Sequence, residues 1–183
     1  MPRPKFDYTL DYPNLDLRKQ PELYRVGIGE QGVLSVQPYK SEILPYWRFR
    51  TAEIAQESAQ KIYDLFLEYK EQEDFVGMDM ARKFLQMGYT RSRRYANHKS
   101  GRKYSDQDKT QPPELIPETP PYKTETNRKH HVKKRIKEVL PQETDALVNE
   151  KAEAARIFYG YYLQAREDKD YQKWKKEWQD KHG

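Results

Sequence analysis

Six prolines interrupt residues 105–142: Pro112, Pro113, Pro117, Pro120, Pro121 and Pro141 stand among polar residues, with few apolar ones to pack. A proline inside a helix or a central strand removes a backbone donor and clashes with its surroundings, so no long element runs through this stretch. A folded body must then be assembled from residues 1–105 and 143–183. Residues 106–142 read as a Pro-rich basic linker or insertion between the two. At 183 residues, the chain suits one domain of ordinary size with room for such a segment.

The core has to be built from unusual material. Only 36% of the residues are hydrophobic, and the mean hydropathy is −1.19. Aromatics nevertheless reach 13%, with fifteen tyrosines, which separates the chain from disordered sequences. A tyrosine ring buries much area while its hydroxyl still needs a partner, so a modest core of Tyr, Phe and Trp is expected. The chain has no cysteine, which excludes disulfides and Cys-ligated zinc and suits a reducing cytoplasm. The first ten residues contain no apolar run of signal-peptide type. No window approaches the ~18 apolar residues of a membrane span.

Periodicity predicts a mainly α fold. Thr51 is a natural N-cap, Glu53 lies in the first turn, and Ile54, Ala55, Ile62, Leu65, Phe66 and Tyr69 recur at helical spacing. A second helix is predicted over 78–87, with Met80, Phe84 and Met87 inward and Gly88 as its C′ residue. Thr90 would cap a short third helix over 91–99, ended by Gly101. Helix resumes near Glu143, with Leu147, Ala154, Ile157, Phe158, Tyr161 and Ala165 at helical spacing. A final helix over 168–181 puts Tyr171, Trp174 and Trp178 on one face. Its aromatic stripe is read as docking onto the body; Asp168, Asp170, Glu177 and Asp180 weigh against a membrane-surface role.

One small β-hairpin is expected near residues 24–36, which makes the fold class α+β: a compact helical body with a hairpin and the Pro-rich insertion. Tyr24-Arg25-Val26 and Val33-Leu34-Ser35-Val36 read as short strands around Gly27-Ile28-Gly29-Glu30-Gln31-Gly32. That loop matches Gly-x-Gly-x-x-Gly literally. A dinucleotide site needs a helix after it, and a kinase needs motifs this chain lacks, so the glycines read as a tight turn.

Charge is the feature that points to function. From Met80 to Ser105 no acid occurs, while Arg82, Lys83, Arg91, Arg93, Arg94, Lys99, Arg102 and Lys103 do. Removing these eight charges from the formal +5 leaves −3 for the rest of the chain. Arginine and lysine neutralise phosphates and release counterions, and the interleaved Tyr95 and Tyr104 can stack on bases. On a helix, Arg93 and Asn97 share a face, as do Arg94 and His98. Arg128 to Lys137 forms a second basic island. A helix-turn-helix through Gly88 and Thr90 is a sharper version of the same idea, but its second helix is short and poor in apolar positions. A solvated basic face paired with neighbouring acids is the plain alternative.

Several of these runs resemble a known family: Asp74-Phe75-Val76-Gly77-Met78-Asp79-Met80-Ala81-Arg82-Lys83-Phe84-Leu85-Gln86-Met87-Gly88-Tyr89-Thr90-Arg91-Ser92-Arg93-Arg94-Tyr95-Ala96-Asn97-His98-Lys99, Tyr12-Pro13-Asn14-Leu15-Asp16-Leu17-Arg18, Gly29-Glu30-Gln31-Gly32-Val33-Leu34 and Pro38-Tyr39-Lys40-Ser41-Glu42-Ile43-Leu44-Pro45. Together they resemble a family of small uncharacterised cytosolic proteins of bacteria, some fungi and some bacterial viruses. The likeness covers residues 7–104 and, more loosely, the C-terminal helix. It implies boundaries and no mechanism, and it implies that residues 105–142 are longer here than in typical members.

The expectation is a cytoplasmic nucleic-acid-binding protein, for DNA or RNA, whose affinity is mainly electrostatic; catalysis is neither required nor excluded by the sequence. Its contacts would be Arg91, Arg93, Arg94, Tyr95, Asn97, His98, Lys99, Arg102, Lys103 and Tyr104, with Lys40, Arg48 and Arg82 as further candidates. No cofactor is implied. The four histidines have no metal-ligand spacing, so no metal is implied either. Two rivals use the same residues. One is a small enzyme or binding protein for a phosphorylated metabolite or nucleotide, with His98 as proton carrier. The other is an adaptor for an acidic protein surface.

Overall fold

The computed structural model describes residues 6–105 and 138–183. Among them are five α-helices: α1 (Tyr39–Ile43), α2 (Ala52–Glu71), α3 (Phe75–Asn97), α4 (Glu150–Glu167) and α5 (Lys169–His182). Helices α2, α3 and α4 pack on one another, and α5 crosses onto α3 and α4. Residues 6–38 form turns and 3-10 segments that lie along the core. No described helix is long and apolar enough to cross a membrane. The basic island at Arg128–Lys137 lies outside the described residues.

Each long helix starts where a side chain takes an orphan backbone N–H. Thr51 Oγ1 accepts from Ile54 N (3.1 Å), Asp74 Oδ1 from Gly77 N (3.0 Å), Asn149 Oδ1 from Ala152 N (2.9 Å) and Asp168 Oδ1 from Tyr171 N (3.0 Å). The α2–α3 turn is only three residues long, so the two helices run antiparallel. Glu73 holds it at φ 54°, a backbone position more often given to glycine.

The core satisfies the demand that so many tyrosines impose. Tyr24 and Tyr171 both donate their hydroxyls to Asp79, Tyr39 donates to Asp74 (2.8 Å), and Tyr69 donates to Glu42 (2.6 Å). Rings supply the buried area, and carboxylates supply the acceptors that a low-hydropathy core would otherwise lack.

Two expectations are corrected. No β-hairpin exists: among the described residues there is no strand, only an isolated antiparallel bridge between Tyr104 and Val139. Local turns take the donors a hairpin would ladder, with Val33 N donating to Glu30 O (3.2 Å) and Val36 N to Gly32 O (3.3 Å), and side chains of α3 take Val26 O and the loop carbonyls. Lys83 Nζ donates to Val26 O (2.6 Å) and Gln31 O (2.8 Å), and Arg82 Nη2 donates to Gly29 O (3.2 Å). Gly27, Gly29 and Gly32 all take positive φ, which curls the segment into turns. The fold is mainly α without the β component.

The second correction concerns α3. It runs unbroken from Phe75 to Asn97, so there are not two helices separated at Gly88, and no helix-turn-helix. Gly88 stays out of the positive-φ region and sits inside the helix because Phe158 of α4 packs against its bare Cα. Thr90 Oγ1 donates back to Met87 O (3.2 Å) and to Glu30 (3.0 Å), as a helix-interior threonine does.

Candidate functional site

The C-terminal end of α3, the N-terminal end of α2 and the N-terminal end of α4 meet at one end of the bundle. Phe49 and Tyr95 lie with ring centroids 5.9 Å apart. Lys151 Nζ stands over both rings and donates to Phe49 O (2.7 Å) and Arg50 O (2.9 Å). This ammonium joins the two segments, and Arg48 and Arg50 flank Phe49. The acid-free run thus gains three cations from elsewhere in the chain: Arg48, Arg50 and Lys151.

The residues singled out from sequence separate into three groups. Arg94, Tyr95, Lys99, Arg102, Lys103, Tyr104 and Arg48 are exposed, and Arg91 is partly so. Arg48, Arg50, Arg91, Arg94, Lys99 and Lys103 form no ion pair with a described carboxylate. Glu143 and Glu150 share this end, but they accept from backbone donors, Lys99 N (3.1 Å) and Ala52 N (3.3 Å) respectively.

A second group is structural. Arg93 Nη2 donates to Asn97 Oδ1 (2.9 Å) and to the carbonyl of Ala146, so it ties the last turns of α3 to the turn before α4. Asn97 Oδ1 also accepts from Gln142 Nε2 (3.1 Å), and His98 Nδ1 lies 3.2 Å from Pro141 O. The chain after α3 is fastened in the same way: Ser105 N donates to Glu138 O (3.0 Å), and Leu140 N donates to Lys103 O (2.8 Å). These bonds hold the basic segment 98–105 against residues 138–149 and fix its exposed side.

The third group lies elsewhere. Lys40 is on α1, whose Tyr39 bonds Asp74 at the start of α3, so it belongs to the opposite end of the bundle. Arg82 is buried: its guanidinium meets Asp79 at 2.8 Å and also donates to Gln86 Oε1 (2.8 Å). It belongs to a closed polar network with Asp79, Lys83, Tyr24 and Tyr171.

Ionisation is strongly perturbed in that network. Burial would raise the Asp79 carboxyl, but the charges of Arg82 and Lys83 and the tyrosine hydroxyls outweigh it and hold the group well below its usual range. Burial brings the Lys83 amine down to about 8, with Arg82 repelling it and Asp79 only partly compensating. The asymmetry follows the distances: Arg82 approaches Asp79 to 2.8 Å, Lys83 only to 3.4 Å. Perturbed groups often mark active sites. Here the amine donates to Tyr24 Oη (2.8 Å), Val26 O and Gln31 O, so its three protons are all engaged, and Asp79 and Lys83 are fully buried. The cluster fastens the glycine-rich segment and α5 to α3. A sequence signal for it existed: charges at Asp79, Arg82 and Lys83, spaced i, i+3 and i, i+4, in a helical stretch that is otherwise apolar all round.

Among the described residues no group of His, Asp and Glu side chains could hold a metal ion. Neither a curated protein nor a solved structure matches the chain significantly. The profile of one family, described as a domain of unknown function (DUF4385), matches residues 7–181, which spans all five helices and the segment between α3 and α4. The chain therefore belongs to the DUF4385 family.

Proposed function

We propose that the protein is a cytoplasmic nucleic-acid-binding protein that engages phosphates through the basic end of its bundle. One observation carries this reading: six cations, Arg48, Arg50, Arg91, Arg94, Lys99 and Lys103, cluster there without a described acidic partner. Cations with no described acidic partner, on a fastened surface, lose little by exchanging counterions for phosphates. Tyr95, 38% exposed, and Tyr104, 44% exposed, lie among them; the Tyr95 ring already packs on Gly101 and Phe49, so Tyr104 is the better stacking platform for a base. Lys103 already stands over the Tyr104 ring, 5.6 Å from its centroid. The N-termini of α2 and α4 meet the C-terminus of α3 at this end, so their partial charges offset in part and the side-chain cations carry the field.

The test is fluorescence anisotropy with labelled single- and double-stranded DNA and RNA over a salt series. Wild-type binding should weaken steeply with salt. The triple variant Arg94→Glu, Lys99→Glu, Lys103→Glu should bind at least about 100-fold more weakly, and its log–log salt slope should be smaller by roughly 2 to 3. Arg93 is left intact because its bonds to Asn97 and Ala146 hold the fold. Salt-insensitive binding, or equal binding by the variant, would sink the reading.

A further inference from the structure

The other end of the bundle carries a surface of opposite character. Two grooves of about 320 and 500 Å³ lie side by side there, with Glu73 and Trp174 common to both. Phe75, Trp178 and Glu177 line the first; Leu67, Glu71 and Asp170 line the second. The two indoles lie one turn apart on α5. Trp178 is fixed by its Nε1 donating to Tyr24 O (3.1 Å) and by the Phe75 ring 5.2 Å away. Trp174 packs on the core in part and has no ring or cation partner among the described contacts.

Of the four carboxylates lining the grooves, Asp170 is paired with Lys70 (3.1 Å). The side-chain carboxylates of the other three, Glu71, Glu73 and Glu177, make no hydrogen bond or ion pair with any described residue. The groove's one α2 lysine, Lys70, is held by Asp168 (2.7 Å) and Asp170 (3.1 Å), so it does not neutralise them. Lys181 and His182 also line the first groove, and neither pairs with Glu73 or Glu177. An indole face ringed by unpaired acids attracts a cation that can shed part of its water.

We propose that this paired groove binds a lysine- or arginine-bearing peptide segment, one cationic head seated against Trp174 between Glu73 and Glu177. Charge complementarity selects the cation. Two chambers in a row suit successive side chains of an extended peptide better than a single small ion. This site is independent of the basic end and does not rest on nucleic-acid binding.

The experiment titrates the full chain with a labelled Ala-Lys-Ala-Arg-Ala-Lys peptide, with its all-glutamate counterpart, and with spermidine. Anisotropy reports peptide binding, and intrinsic tryptophan fluorescence reports all three. Saturable binding of the cationic peptide, about tenfold weaker in Glu73→Gln/Glu177→Gln, is expected. Both positions are solvent-facing, so the variant keeps its fold, and a thermal melt superimposable on wild type would establish that. No binding, equal binding of the glutamate peptide, spermidine binding as tight as the peptide, or an unchanged affinity in the folded variant would each overturn the proposal.

Discussion

Asp79→Asn should cost about 3–5 kcal/mol of folding stability, because it leaves Arg82 and Lys83 buried without their counter-charge. A domain of this size has about 5–15 kcal/mol in total, so the expected fall in Tm is large, roughly 10–15 °C. The substitution keeps the size of the side chain, and the amide oxygen can still accept from Tyr24 or Tyr171; the loss is therefore one of charge, not of shape. Acid should reveal the same residue. The folded carboxyl titrates below its ordinary 3.8. Its stabilisation is complete above about pH 4 and is lost as pH falls through the folded value. Urea melts of wild type between pH 5 and 2 should show that decline, and Asp79→Asn, with nothing to titrate at this position, should show a shallower one. A variant within 1 kcal/mol of wild type at pH 7 would mean that the network does not bear on stability.

Gly88→Ala should destabilise by about 1–3 kcal/mol, against the sign that helix propensity predicts. In an open helix, replacing glycine by alanine gains about 1 kcal/mol. At Gly88 an added Cβ would meet Phe158 Cδ1 at 2.2 Å, and Phe158 is fully buried between α3 and α4, with nowhere to move. Gly160, on α4, supplies the control: nothing lies within 4 Å of its would-be Cβ. Gly160→Ala should therefore stabilise by up to about 1 kcal/mol. Opposite signs for the two variants in urea melts are the expected result. A stabilised Gly88→Ala would show that α3 and α4 are not in the close contact described.

Most of the helices were legible because apolar spacing and caps are local; the exception is α4, which starts at Glu150 and not near Glu143, and leaves Leu147 in the preceding turn, 74% exposed. Thr51 begins α2 where its position predicts, and the stripe of Tyr171, Trp174 and Trp178 docks α5 as its spacing predicts. Gly88 and the glycine-rich segment misled because their local signals have two solutions. A glycine after an apolar stripe marks a helix end or a close helix contact, and only the arrival of Phe158 selects the second. Val33-Leu34-Ser35-Val36 has strand composition, yet its neighbouring carbonyls are captured by Lys83 and Arg82, more than fifty residues further along.

The candidate site divides along the same line. The acid-free run from Met80 to Ser105 is a property of the chain alone, and so is the excess of cations it brings to any fold. Which of them face solvent was decided by tertiary contacts. Asp79 drew Arg82 and Lys83 inward, Ala146 and Asn97 engaged Arg93, and Lys40 was carried to the far end with α1. The same packing brought Arg48, a sequence candidate, to this end and added Arg50 and Lys151, which no sequence window places near Tyr95. Composition and periodicity determined a tyrosine-cored helical body with concentrated positive charge. The tertiary structure decided which charges stay unpaired, because burying an ion requires a partner whose position only the assembled fold can set.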